Sequence, residues 1–158
     1  MVKIRAAPGT TPLVLADAQP GRYSAAEWSP KGDWILFPAA DGLDLISPEG
    51  KSAHLLTPRK FVVYNFSKDG GTVYGVLENT GSDGAQWQLY SVNVGTGTEK
   101  LLGSIDLPQS IATLAGFSLH PDGKHFLTSA AKWPFDIWMM EGFDQPSGAN
   151  WLARLLHR

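Results

Sequence analysis

Ser118, His120 and Asp122 fall within five residues of one another, and they are the side chains that nucleophilic acyl transfer needs. A hydroxyl attacks, an imidazole takes its proton, and a carboxylate orients the imidazole. The spacing does not suit that chemistry. Gly116-Phe117-Ser118-Leu119-His120 lacks the second glycine of a nucleophile elbow, and a Pro-Asp-Gly turn follows where the elbow requires a helix. The four histidines, His54, His120, His125 and His157, show neither a helical His-x-x-x-His spacing nor a His-x-His pair with a carboxylate, so the pattern points to no metal. Gly95-Thr96-Gly97-Thr98 is the nearest approach to a phosphate cradle, but no helix follows it, and neither nucleotide-binding glycine motif is present. The expectation is a chain without catalytic residues and without a cofactor.

The elements that must position these residues are strands and turns. Glu27-Trp28-Ser29-Pro30-Lys31-Gly32-Asp33, Asn65-Phe66-Ser67-Lys68-Asp69-Gly70-Gly71 and Gly116-Phe117-Ser118-Leu119-His120-Pro121-Asp122-Gly123-Lys124 are worn copies of one pattern. Each has an aromatic, then Ser, then a Pro/Asp/Gly turn, then an apolar, β-branched run. Pro presets φ, Asp bonds the turn backbone, and Gly takes the positive φ of the reversal. With the three serines as markers, the copies stand 38 and 51 residues apart, which is the length of a four-stranded unit. A second landmark recurs downstream of each, as Asp44-Leu45-Ile46, Gln88-Leu89-Tyr90 and Asp136-Ile137-Trp138. The preceding aromatics Trp28, Phe66 and Phe117 are expected to wedge between neighbouring units. Ser118 therefore reads as a repeat marker and not as a nucleophile.

The strand pattern predicts an N-terminal hairpin over 1–16, then four strands over 23–56, four over 61–103, and a third round over 112–143 whose fourth strand is missing. A tail over 144–158 carries a short helical pattern at Asn150–His157, with Trp151, Leu152, Leu155 and Leu156 on one face. The chain has 158 residues, 43% of them hydrophobic, with 17 glycines and 11 prolines spread at intervals. That is a folding chain of many short strands. Its net charge of −2, without a basic run, argues against nucleic acid held through phosphates. No cysteine is present, which removes disulfides and thiolate metal sites and suits the cytosol and the bacterial periplasm equally. No apolar run reaches the length of a membrane span or a signal peptide.

These residues resemble the TolB-like or WD40-like (PD40) β-propeller repeat, in the aromatic-Ser-Pro-Asp-Gly-Lys turn and the later Asp-Ile-Trp strand. The likeness covers about residues 23–143. Trp133-Pro134-Phe135-Asp136-Ile137-Trp138-Met139-Met140-Glu141-Gly142-Phe143 is similar to the last blade of propellers found behind bacterial Ser/Thr protein kinase domains. The resemblance implies an all-β fold: a partial propeller of about three four-stranded antiparallel blades, with the hairpin over 1–16 left from a preceding blade. It also implies a non-catalytic protein- or peptide-binding or scaffolding module, belonging to a larger bacterial sensory or kinase-linked protein. The alternative it carries is the substrate-gating propeller of a prolyl-oligopeptidase-type hydrolase. About three and a half blades fall short of the 4–8 that close a ring, so missing blades or self-association are expected.

For partner contacts the sequence offers one long polar stretch, Glu78-Asn79-Thr80-Gly81-Ser82-Asp83-Gly84-Ala85, ending at Trp87. It reads as a loop set on a rigid frame, where binding residues tend to sit. Asn79, Asp83 and Trp87, together with Trp133 before Pro134, are the candidate contacts. Trp28, Trp34 and Trp138 read as core.

Overall fold

A computed structural model of the chain describes residues 1–3, 9, 11–16, 26–81, 84–108, 110–120, 122 and 125–132. The strands are β1 (Val2–Lys3), β2 (Leu13–Val14), β3 (Glu27–Trp28), β4 (Ile35–Ala39), β5 (Gly42–Ile46), β6 (Ala53–Thr57), β7 (Val63–Phe66), β8 (Thr72–Gly81), β9 (Gly84–Asn93), β10 (Glu99–Ile105), β11 (Thr113–Leu119) and β12 (Phe126–Ala131). Among the described residues there is no helix, and so none long and apolar enough to cross a membrane. The third strand and its Asp136-Ile137-Trp138 landmark, Trp138 as core, and the helix at Asn150–His157 all lie outside the described residues.

Among the described residues every pairing is antiparallel. β3-β4-β5-β6 and β7-β8-β9-β10 are four-stranded sheets in sequence order, while β1-β2 and β11-β12 form two-stranded ones. The all-β class and the four-stranded antiparallel sheets are as the sequence predicts.

The middle sheet, β7 to β10, owes its position to a period of two in its apolar residues. Side chains on a strand alternate faces, and here both faces are apolar. Tyr64, Phe66, Val73, Tyr90 and Val92 pack with Leu36, Leu43, Leu45 and Leu56 of the first sheet. Val63, Val76 and Trp87 pack with Ile111, Leu114 and Phe117 on the side of β11. The middle sheet is thus sandwiched, with β7 lying beside both β3 and β11.

Polar links reinforce the stack. Asn65 Nδ2 donates to the Phe117 carbonyl at 2.8 Å. Arg59 Nε donates to Glu99 Oε2 at 2.5 Å, Thr57 donates to the other Glu99 oxygen, and the Arg59 guanidinium lies 4.1 Å from the centre of the Tyr90 ring. A partly exposed ion pair contributes about 0–1 kcal/mol, whereas one fully buried Val or Leu contributes about 1.5–3 kcal/mol. The apolar faces hold the sheets together.

Two aromatic expectations need correction. Trp28 is 50% exposed. The Lys3 ammonium of the N-terminal hairpin lies over its ring, 5.7 Å from the centre. Trp34 is half-buried at the rim of the core, with its ring edge-on to His54 at 5.1 Å.

Candidate functional site

The expected contact residues do not converge. The stretch read as a long loop is a hairpin extension: β8 and β9 run ten residues each and stay paired from Thr72↔Asn93 through Glu78↔Trp87 to Gly81↔Gly84. Hydrogen-bonded strands that project past their neighbours are solvated on both faces, so polar side chains suit them and their composition imitates a loop. Asn79 is exposed and donates through Nδ2 to Gln88 Oε1 at 2.7 Å, which makes it a cross-strand partner within that hairpin. Trp87, expected at the surface, is 2% exposed and belongs to the core between the middle sheet and β11. A ring so covered has no face to offer a partner. Asp83 and Trp133 lie outside the described residues.

The structure brings together a different set, at the end of the stack where the marker turns lie. In the first turn the Ser29 N–H donates to the Trp34 carbonyl at 2.9 Å. The corresponding bonds are Ser67 to Thr72 at 2.7 Å and His120 to His125 at 2.9 Å. The residues just before pair in the same way, as Trp28↔Ile35, Phe66↔Val73 and Leu119↔Phe126. The structural counterpart of Ser29 and Ser67 is therefore His120, not Ser118. The second spacing is 53 residues where the serines suggest 51. Phe117 is still core, stacked on Phe126 at 4.9 Å. It lies within the register shift between Ala115 and Ser118, next to Gly116, whose φ of +70° is open to Gly at little cost.

In the first two turns the serine closes the structure. The Trp34 N–H donates to Ser29 Oγ at 3.1 Å and the Thr72 N–H to Ser67 Oγ at 3.0 Å, while the hydroxyls donate to Asp33 and Asp69, each at 2.6 Å. Asp69 Oδ1 also accepts the Gly71 N–H at 3.0 Å. The Ser67 hydroxyl first, and then the Gly71 N–H, hold the Asp69 carboxyl below its ordinary pKa, because both bonds favour the ionised form.

In the third turn no serine is present to do this. His120 Nδ1 lies 3.1 Å from Asp122 Oδ1 and accepts the Asp122 N–H at 3.2 Å. His125 Nδ1 lies 2.7 Å from Asp122 Oδ2, and the two imidazoles meet edge to face at 6.0 Å. All three side chains are exposed. Sequence spacing does not reveal this group, because its histidines stand neither at a helical interval nor on one strand. The signal was His-x-Asp-x-x-His across a turn, which places both histidines opposite each other on paired strands. Among the described residues no hydrogen bond is seen between Ser118 and His120.

Beside His120 a cleft of about 270 Å³ opens between the middle sheet and β11. Phe66 and Leu119 provide apolar surface, while Asn65, Lys68, Tyr74 and Ser118 supply polar groups. Donors and acceptors beside an apolar wall suit an extended chain with alternating side chains.

No protein family matches this sequence, and no curated protein does.

The resemblance to a propeller repeat thus rests on the turn and strand residues themselves.

Proposed function

We propose that the chain is part of a β-propeller and serves as a non-catalytic module for binding a protein or peptide. The observation that carries the reading is the cleft between the middle sheet and β11, which joins Phe66 and Leu119 to the polar groups of Lys68, Tyr74 and Ser118. The stacking supports it. A sheet that buries both faces against sequence neighbours, with first strands side by side, is how consecutive blades pack around an axis. The setting the resemblance suggests is a larger bacterial sensory or kinase-linked protein.

Panning a random peptide library against the untagged chain tests the reading. Enriched peptides are expected to carry a carboxylate, to meet the exposed Lys68 ammonium. Binding should weaken at least about tenfold, or about 1.4 kcal/mol, in Tyr74→Ala and in Lys68→Glu, and persist in Lys100→Glu on the far strand β10. No enriched peptide, or equal binding by all variants, contradicts the proposal. So does hydrolysis of an activated ester by the purified chain.

A further inference from the structure

We infer that His120, Asp122 and His125 form a binding site for a borderline divalent transition-metal ion of the zinc type, built on the turn between β11 and β12. One ligand atom from each residue lies within 4.8 Å of the other two. Two imidazole nitrogens and a carboxylate oxygen make up a donor set that zinc accepts with water in the fourth position. At tetrahedral zinc, ligand atoms about 2.0–2.2 Å from the metal stand roughly 3.3 Å from one another. The observed separations from the carboxylate are 3.1 Å to His120 Nδ1 and 2.7 Å to His125 Nδ1. The ligand atoms as a set lie within 4.8 Å of one another, and rotation of the exposed side chains closes the remaining distance.

The fold supplies the preorganisation. His120 and His125 are bonded opposite each other where the strands end, through the His120 N–H and the His125 carbonyl. Side chains of such a cross-strand pair project on one side. The Asp122 carboxylate is held between them by the His125 main-chain N–H, which donates to Oδ1 at 3.3 Å. Backbone support of this kind orients a ligand before the metal arrives.

The carboxylate already meets both rings: Asp122 Oδ1 lies 3.1 Å from His120 Nδ1, and Asp122 Oδ2 shares a hydrogen bond of 2.7 Å with His125 Nδ1. A bound ion would take the place of the shared proton, as metal binding to imidazole ligands generally does.

Calorimetric titration of zinc chloride into the untagged chain is expected to show one site. His120→Ala and His125→Ala should each weaken it at least about tenfold, while His54→Gln leaves it unchanged. Both histidines are exposed, so the variants should keep the parent's thermal midpoint. Cobalt should then give a visible ligand-field band in the parent chain that both variants lack. Zinc binding that persists in His120→Ala and His125→Ala, or no binding to the parent chain, overturns the inference.

Discussion

The turn that joins β7 to β8 and the turn that joins β11 to β12 share a main-chain plan and differ in the work of their side chains. In both, the first residue's N–H closes on a carbonyl five positions later. In the first of them Ser67 and Asp69 bond each other and the backbone, so both side chains complete the turn. In the other, both flanks are imidazoles that bond to Asp122, His120 through the Asp122 N–H and His125 through Oδ2, but their rings stand in solvent. The lesson is one of division. Where main-chain bonds already hold the reversal, the flanking side chains are available for binding.

The comparison rests on a common frame, and its largest test is to remove part of that frame. Trp87 fills the space between the middle sheet and β11. Trp87→Ala is expected to lose about 3–5 kcal/mol of stability, read by urea unfolding. Trp28→Ala, at the exposed marker position, should lose less than about 1 kcal/mol, the scale of a surface cation–π contact. If the two cost the same, the assignment of Trp87 to the frame is wrong.

A smaller effect separates the two hairpins. A Cβ on Gly75 would lie 2.5 Å from the Phe61 ring, and the paired registers make Thr128 its counterpart in the second hairpin. Gly75→Ala should cost about 1–3 kcal/mol through overpacking. Thr128→Val loses the bond to the Gly116 carbonyl and should cost about 0.5–1.5 kcal/mol.

Next come the turns themselves. Ser67→Ala removes an acceptor for Thr72 and a donor to Asp69, an expected loss of about 1 kcal/mol. His120→Ala should change stability by less than about 0.5 kcal/mol. The smallest effect sharpens the same contrast by pH. With its folded pKa depressed, Asp69 contributes stability that is present above the ordinary carboxylate range and lost as pH falls through the lowered folded value. An NMR titration of its carboxyl carbon should show a midpoint below that range, and Ser67→Ala should move the midpoint back up. An unchanged midpoint would assign the shift to something other than the hydroxyl.

Much of this frame was legible in sequence. Gly32, Gly50 and Gly70, each with φ near +71°, sit where Pro/Asp/Gly clusters punctuate the chain. The continuous apolar character of Tyr64, Phe66, Val73 and Val92 also fits a sheet covered on both faces. The site was less legible, for reasons of register and of solvation. Phe117-Ser118 imitates Phe66-Ser67 two residues early, and only strand pairing shows that His120 holds the serine's place. Glu78, Asn79 and Thr80 resemble a loop because a projecting hairpin needs no apolar face. The burial of Trp87 depends on Ile111, Leu114 and Phe117 arriving from a later part of the chain, which no local pattern announces.

The division between scaffold turn and binding turn is tested most directly by exchanging their flanks. His120→Ser with His125→Thr gives the second turn the flanking residues of Ser67 and Thr72 around the same aspartate. The thermal unfolding midpoint of this double variant, measured against the parent without added metal, should move by less than about 2 °C, the equivalent of roughly 0.5 kcal/mol in a chain of this size. A fall of about 4 °C or more would mean that the imidazoles hold the turn together, and the account of them as side chains free to bind would not stand.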